Sequence, residues 1–267
     1  MDSVRLDVAL VERGIAESRS KAQRMIDDGV IAVNGTVVTK ASDRVAGEDH
    51  VALVGNTCPY VSRGGLKLEK SLDQFHIDPT GYVCGDFGAS TGGFTDCLLQ
   101  HGAAKVYAVD VGFDQLADKL RQDSRVVVME KTNVRDLSPD AFTERLDLAV
   151  IDVSFISLRL VLPIVQRFLK ENGQILCLIK PQFEAGRELI GKRGVVRSRK
   201  THVTVLRDFC SNCTMLGLGV QNLAFSPVTG GEGNIEFLAQ LSMSHHFETP
   251  DLEQIVIQAH QRLRGRL

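Results

Sequence analysis

The sequence lacks any apolar run that approaches the roughly 20 residues needed to span a membrane. It also lacks the apolar core of a signal peptide, because its opening residues, Met-Asp-Ser-Val-Arg-Leu-Asp, include three charged side chains. We therefore expect a cytoplasmic protein that has no membrane partner.

Cysteine is present but lacks the pattern of a disulfide framework or a metal site. The six cysteines are scattered along the chain, and three of them lie within apolar runs, which favours reduced thiols in a cytosol. Cys210 and Cys213 form a single CxxC pair, with no second pair and no histidine at ligand spacing. We therefore predict that no metal is bound.

The chain also lacks a surplus of positive charge. It has 31 Lys and Arg against 33 Asp and Glu, a formal net charge of −2, so no global field attracts nucleic acid. Any RNA-binding surface must therefore be local. The hydrophobic content of 43% is that of a globular protein, and 267 residues suit one large domain plus a small one.

From Gly81 onward, strand-like and helix-like segments alternate, which predicts a parallel sheet in an α/β sandwich. Seven strands are expected, at residues 82–86, 105–110, 126–130, 147–152, 174–180, 218–225 and 234–242. Helices are expected at residues 93–101, 113–121, 138–142, 157–170 and 201–215. In such a fold the ligand lies beyond the carboxyl ends of the strands.

A glycine-rich turn follows the first of these strands, in the stretch Asp86-Phe-Gly-Ala-Ser-Thr-Gly-Gly93. Its glycines allow a tight turn and close approach of the backbone to a ligand. The spacing is neither the dinucleotide GxGxxG nor a P-loop. A carboxylate at Asp86 would repel a pyrophosphate but suit a ligand that carries an amino group.

A second acid, Asp110, ends the next strand, where it would suit the two hydroxyls of a ribose. An amino group, a carboxylate and a ribose together describe S-adenosylmethionine, which we predict as the cofactor. Asn133 or Asp136 could hydrogen-bond an adenine edge; the alternative is that they belong to an ordinary helix-capping loop. For the glycine turn, the alternative is a purely structural role.

The first 57 residues have the pattern of a separate small module: two helices, at about Val4–Arg13 and Arg19–Asp28, followed by short strands around an Asn34-Gly35 turn. This order resembles the small RNA-binding domain named after ribosomal protein S4. Arg5, Arg19, Lys21 and Arg24 could gather near the start of the second helix and contact phosphates. The alternative is a solvated helix face.

Four charged residues are predicted to meet above the glycine turn: Lys67, Asp152, Lys180 and Glu236. Asp152 and Lys180 each end an apolar strand, and Glu236 is a single charge in another. Two lysines and two carboxylates neutralise one another, so partial burial becomes tolerable. The alternative is a set of ordinary surface salt bridges.

Such a set could activate a poor nucleophile such as a sugar hydroxyl. Lys180 is the predicted base or hydroxyl-orienting group, and burial together with the second lysine would help it to act as a free amine. Asp152 would orient Lys180 and lie near the sulfonium of the donor. Glu236 would tether Lys67.

Residues 187–200 form the strongest local basic patch, with six Lys or Arg and one acid. A loop of this kind suits backbone phosphates, although a solvated flexible loop is the alternative. With the small module, it completes the predicted RNA-binding set, which is Arg5, Arg19, Lys21, Arg24, Arg63, Lys192, Arg193 and Arg197.

The four charged positions resemble the K-D-K-E tetrad of FtsJ-type ribose methyltransferases, and the whole chain resembles the TlyA family, also known as haemolysin A. The motifs that carry the resemblance are Ser62-Arg-Gly-Gly-Leu-Lys67, Asp86 to Asp96, Asp152-Val-Ser-Phe-Ile-Ser157, Lys180-Pro-Gln-Phe183 and Gly233-Asn-Ile-Glu236. The family implies 2′-O-methylation of cytidine in ribosomal RNA.

The resemblance also implies a Rossmann-like, seven-stranded class I methyltransferase sandwich with a small N-terminal α+β RNA-binding domain. The expected boundaries are 3–57 for the small domain, 58–62 for a linker, 63–245 for the methyltransferase domain and 246–267 for a C-terminal helix or tail. The cofactor site it implies comprises Asp86, Phe87, Gly88, Ala89, Ser90, Thr91, Gly92, Gly93, Asp110, Val111, Asn133 and Asp152.

Ribosomal RNA or a ribosomal subunit is the expected partner, and both monomer and homodimer remain open. Three other functions remain as rivals: a secreted cytolysin, a catalytically silent RNA-binding assembly factor, and methyl transfer to a small molecule or a protein.

Overall fold

The computed structural model describes residues 3–54, 58–191, 194–243 and 250–264. The chain first forms a small unit of two helices and five short strands. Its strands are paired as β1 with β4 and as β3-β2-β5, all antiparallel. The elements of this unit are β1 Val4–Arg5, α1 Leu6–Glu12, α2 Arg19–Asp27, β2 Ile31–Val33, β3 Thr36–Val37, β4 Arg44–Val45 and β5 Val51–Leu53.

The small unit has its own apolar core between the two helices and the strands. Leu6, Leu10, Ile26 and Ile31 are fully buried there, which follows from helical spacing of the apolar residues in α1 and α2. Ser18 caps α2 by accepting a hydrogen bond from the backbone N–H of Lys21. The two predicted helices are therefore confirmed, whereas the pairing of β1 with β4 was not foreseen.

Seven strands form the central sheet of the large unit, in the order β11-β12-β10-β9-β6-β7-β8. All neighbours are parallel except β12, which runs antiparallel between β10 and β11. The strands are β6 Val83–Phe87, β7 Lys105–Val109, β8 Val126–Met129, β9 Leu146–Ile151, β10 Leu169–Ile179, β11 Gly219–Phe225 and β12 Phe237–Ser242. The predicted α/β fold is confirmed.

Helices cover both faces of this sheet. They are α3 Gly64–Phe75, α4 Gly93–Gln100, α5 Asp118–Arg121, α6 Leu158–Val165, α7 Pro181–Glu184, α8 Arg199–Met215 and α9 Leu252–Arg264. One apolar cluster lies under α6, α8 and α9 and the other under α3 and α4. Strands buried on both faces carry near-continuous apolar runs, which is why all seven could be located in the sequence.

One predicted helix is confirmed only in its last turn, and another is wrong. Residues 113–121 are helical only over α5, because the backbone N–H groups of residues 114–116 donate to the Glu130 carboxylate instead. Residues 138–142 form no helix, and a 3₁₀ turn lies at Val134–Asp136. Within residues 138–142, Phe142 packs edge-on against Phe87 and Phe168. These tertiary contacts decide the conformation of the backbone in this segment.

Residues 58–62, the predicted linker, are attached to the large unit. The Tyr60 ring is buried, its hydroxyl donates to Glu69, and the backbone N–H of Val61 donates to Asp96 at 2.8 Å. Within the described ranges, the helices are too short or too polar to traverse a bilayer.

Asp7 organises the small unit as a buried anion. Its carboxylate accepts hydrogen bonds from Arg5 at 2.9 Å, Arg19 at 2.9 Å and Gln23 at 3.0 Å. Burial alone would raise the pKa of Asp7, but the three donors outweigh burial and hold this pKa well below its usual range. The carboxylate thus joins α1 to α2.

We predict that Asp7→Asn destabilises the small unit by about 1–3 kcal/mol, because one charge-assisted acceptor is lost. The lowered pKa means that this contribution is complete above the unfolded-state pKa of about 4 and is lost as the pH falls below it. Hydrogen exchange of α1 and α2 amides at pH 7 measures the loss. Equal exchange in both proteins would contradict the role given to Asp7.

Candidate active site

The glycine turn between β6 and α4 brings two strand ends into contact. Gly88 has φ of +91°, and a Cβ there would lie 2.7 Å from the backbone oxygen of Asp152. A side chain at this position would therefore push β6 and β9 apart at their carboxyl ends. Glycine at position 88 is what allows the turn to lie directly against Asp152.

Asp86, the last polar residue before the turn, is fully buried. Its Oδ2 accepts a hydrogen bond from the Thr95 hydroxyl at 2.6 Å, while its Oδ1 is buried with no hydrogen-bond partner among the described residues. Burial raises the pKa of Asp86 to about 7. An orphaned carboxylate oxygen fits a cationic or hydrogen-donating ligand group, such as the amino group of S-adenosylmethionine.

Asp110 follows β7 and lies on the other side of the turn. Its carboxylate accepts from the backbone N–H of Ser90 at 2.8 Å and of Gly112 at 2.7 Å, so it holds the two loops together. Val111 and Phe113 beside it are exposed. Asp110 therefore has an acidic group next to two exposed apolar side chains.

Asn133 caps the 3₁₀ turn after β8, since its side-chain oxygen accepts from the backbone N–H of Arg135 at 3.0 Å. This is the capping role that the sequence left open as an alternative. The adenine contact predicted for Asn133 remains a prediction.

The four predicted tetrad residues form two ion pairs. Lys67 Nζ lies 2.7 Å from Glu236 Oε2, and Lys180 Nζ lies 2.7 Å from Asp152 Oδ1. Glu236 is 2% exposed and Lys180 11% exposed, so these pairs are not the solvated surface bridges of the alternative interpretation. Glu236 itself lies one residue before β12 rather than inside a strand.

The two pairs lie within electrostatic range of each other. Burial alone would lower the pKa of Lys67, but the Glu236 and Asp152 carboxylates outweigh burial and raise it. Burial alone would raise the pKa of Asp152, but Lys180 and Lys67 outweigh burial and lower it. The Asp152 carboxylate therefore stays ionised because lysines lie beside it.

Sequence reasoning missed the surroundings of Lys180. The Lys180 ammonium group also donates to the Ser154 hydroxyl at 2.9 Å. Phe155 is 90% exposed at a φ of +64°, and its ring packs on that of Phe183 with 5.0 Å between centroids. Both aromatic residues stood within the quoted motifs, but nothing in a linear pattern tells an exposed phenylalanine from a core one.

The predicted RNA-binding residues are spread over several surfaces. Arg5 and Arg19 are joined to Asp7, and Arg24 Nε is 3.4 Å from the backbone oxygen of Ser20. Lys21 is exposed near the start of α2, as is Arg197 just before α8.

Arg63 reaches from the large unit to the small one, with its guanidinium 3.4 Å from the backbone oxygen of Asp27. Lys192 and Arg193 lie outside the described residues. In the parts of the chain that the structure describes, no cluster of three or more potential metal ligands occurs.

A doubly wound sheet of this order, with a glycine turn after its first strand and an acid after its second, defines a class I methyltransferase. Residues 60–243 match the FtsJ-like methyltransferase family and residues 4–51 match the S4 domain. The chain therefore belongs to the FtsJ-like methyltransferase family, a class that takes its methyl group from S-adenosylmethionine.

Named relatives agree with this assignment. YqxC of Bacillus subtilis, a provisionally assigned rRNA methyltransferase, is 49% identical over 98% of this chain and 96% of its own length. The Mycobacterium tuberculosis 16S/23S rRNA (cytidine-2′-O)-methyltransferase TlyA is 41% identical, over 89% of each chain. The predicted resemblance to the TlyA family is thereby confirmed.

A solved structure from Streptococcus thermophilus, provisionally named a haemolysin, has 43% sequence identity to this chain and a TM-score of 0.79. It covers 100% of this chain, and the match takes in 98% of that chain. The likeness therefore extends over both units.

We predict that Lys67→Met lowers the free energy of unfolding by about 3–5 kcal/mol, because it leaves the Glu236 carboxylate buried without its cation. The double variant Lys67→Met/Glu236→Leu should recover most of the loss. Urea unfolding of Lys67→Met, Glu236→Leu and the double variant measures the coupling free energy between the two residues. A cost below about 1 kcal/mol for Lys67→Met would mean that the pair behaves as a solvated one.

Proposed function

We propose that this chain transfers the methyl group of S-adenosylmethionine to the 2′-hydroxyl of a cytidine in ribosomal RNA, in the cytoplasm. The observation that carries the proposal is the pair of buried Lys–carboxylate contacts beside the glycine turn, in a chain with a relative named as an rRNA (cytidine-2′-O)-methyltransferase. The S4 match supplies a unit for holding RNA.

The donor site is formed by the turn and the ends of β6, β7 and β9. Asp86 would hold the amino group, because its unpartnered oxygen needs a donor, and Asp110 would accept from the ribose hydroxyls. The remaining residues of the proposed site are Phe87, Gly88, Ala89, Ser90, Thr91, Gly92, Gly93, Val111, Asn133 and Asp152. When bound, S-adenosylmethionine supplies a methyl group that is already activated by its sulfonium.

Lys180 would position the attacking 2′-oxygen. Its nitrogen contacts Asp152 and Ser154, which leaves a third position for a substrate hydroxyl. Lys67 and Glu236, joined by their 2.7 Å contact, would lie on the other side of the substrate hydroxyl. Because the donor is already reactive, orientation of the hydroxyl supplies most of the rate that the protein must add.

The exposed Phe155 ring beside Lys180 offers a stacking face for the target base, and stacking on an aromatic side chain is common for unpaired RNA bases. Lys21, Arg63 and Arg197 would contact backbone phosphates on either side. Arg5 and Arg19 can share their guanidinium groups between Asp7 and RNA, since their side chains are 41% and 58% exposed.

We predict that Lys180→Ala lowers methyl transfer to ribosomal RNA by at least about a hundredfold while the donor Kd changes little, because the variant loses the group that positions the hydroxyl. Lys170→Ala is the matched control. Lys170 lies on the same strand, β10, and pairs with Asp147 at 2.7 Å, beside the opposite end of β9 from Asp152.

The readout is the 2′-O-methyl content of ribosomal RNA treated with each purified protein, mapped by nucleotide. Undiminished transfer by Lys180→Ala would remove Lys180 from the mechanism. Absence of any 2′-O-methyl product from the wild-type protein would contradict the proposed function itself.

We also predict that donor affinity depends on pH through Asp86. Burial raises the pKa of Asp86 to about 7, so below pH 7 a proton must leave before the carboxylate can pair with the donor's ammonium group. The donor Kd should therefore rise by up to about tenfold per pH unit as the pH falls from 7 to 5. Calorimetric titration of wild type and Asp86→Asn measures this. A steep dependence that survives in Asp86→Asn would assign it to another group.

A further inference from the structure

The loop after β9 and the turn after β10 are joined by a row of side-chain contacts. Residues 152–158 form the loop, and residues 180–184 form the turn, which includes the short helix α7. Along the row, Lys180 contacts Asp152 and Ser154, and Phe183 contacts Phe155. The contacts run in the same order along both segments, so the segments lie side by side over the site.

Glu184 makes the last contact of this row. Its Oε2 accepts from the Ser157 hydroxyl at 2.6 Å, and its Oε1 accepts from the backbone N–H of Leu158 at 2.8 Å. It therefore caps the start of α6 from another part of the chain, where a carboxylate is favoured. Burial raises the pKa of Glu184 above its usual range, as expected for a carboxylate that has no ion-pair partner among the described residues.

We propose that Glu184 is a positioning residue for methyl transfer: by clamping residues 157 and 158 to the turn, it sets the geometry of the part of the loop that presents Ser154 and Phe155 to Lys180. This inference rests on the proposed function of the site. Glu184 touches none of the reacting groups, so its effect passes through the loop.

Such a clamp matters to this loop because Ser154 and Phe155, at its centre, are exposed. Phe155 is 90% exposed and has a positive φ of +64°, a backbone conformation that costs a non-glycine residue about 1–3 kcal/mol unless its surroundings impose it. Ser154 is exposed as well. Asp152 is fixed at one end of the loop by β9, and Glu184 fixes the other end.

A displacement of about 1 Å in a positioning group can cost two orders of magnitude in rate. Removing Glu184 would release Ser157 and the first turn of α6, and the loop would then sample positions in which Phe155 and Ser154 leave Lys180. The donor site would be spared, since the glycine turn and Asp110 are held by other contacts.

Single-turnover methyl transfer by Glu184→Ala, Glu184→Gln and Asp147→Ala tests the proposal. Asp147 is the matched control, because its carboxylate also accepts a backbone N–H, that of Val83 at 3.0 Å, but beside the opposite end of β9. We expect Glu184→Ala to lower the rate by about tenfold or more, the equivalent of one charge-assisted hydrogen bond. The donor Kd should stay within about twofold in that variant, because the donor site does not include the clamp.

Glu184→Gln keeps an acceptor for Leu158 and a donor for Ser157, so it should restore the rate to within about threefold of wild type. Asp147→Ala should lower the Tm about as much as Glu184→Ala without a comparable loss of rate. A wild-type rate in Glu184→Ala would overturn the proposal. So would an equal loss of rate in Asp147→Ala.

A second measurement does not depend on catalysis. The chain has no tryptophan, so Phe155→Trp introduces a single fluorescent reporter into the loop. We expect its fluorescence anisotropy to fall when Glu184→Ala is added and to stay unchanged when Asp147→Ala is added. Equal anisotropy in all three proteins would overturn the clamp, even if wild-type protein proved inactive on ribosomal RNA.

Discussion

The structure depends on one electrostatic constraint: two lysines and two carboxylates share a site that little water reaches. A buried charge without a partner costs several kcal/mol, so Glu236 requires Lys67, and Asp152 and Lys180 require each other. Lys67 and Glu236 are 169 positions apart in the chain. Their contact holds α3 against the start of β12.

The glycine turn satisfies a second, steric requirement. Only a residue without a side chain lets β6 approach the backbone of Asp152 at position 88. The glycine turn therefore lies directly against the charged site. The small unit contacts the glycine turn through Asp28 and Thr91 at 3.4 Å, and it contacts the turn before β12 through Ser42 and Glu232 at 2.5 Å.

Secondary structure was predicted correctly where burial of apolar side chains shapes a segment, and wrongly where specific tertiary contacts do. Strands buried on both faces were located because apolar side chains must fill both of their surfaces. The helix predicted at residues 113–121 exists only in its last turn, because the backbone N–H groups of residues 114–116 donate to Glu130. Residues 138–142 form no helix, because Phe142 is held by an aromatic cluster. Neither contact leaves a periodic trace in the sequence.

The sequence by itself determined the positions of the seven strands, the glycine turn, the identity of the four charged residues and the family. These features are local patterns or motifs. Only the tertiary structure decided that the charges pair as Lys67 with Glu236 and Lys180 with Asp152, that Arg5 and Arg19 are shared with Asp7, and that Glu184 lies behind the loop of Phe155. The reason is physical: which charges become partners depends on distance and burial in three dimensions, and residue types and spacing along a chain do not contain either quantity.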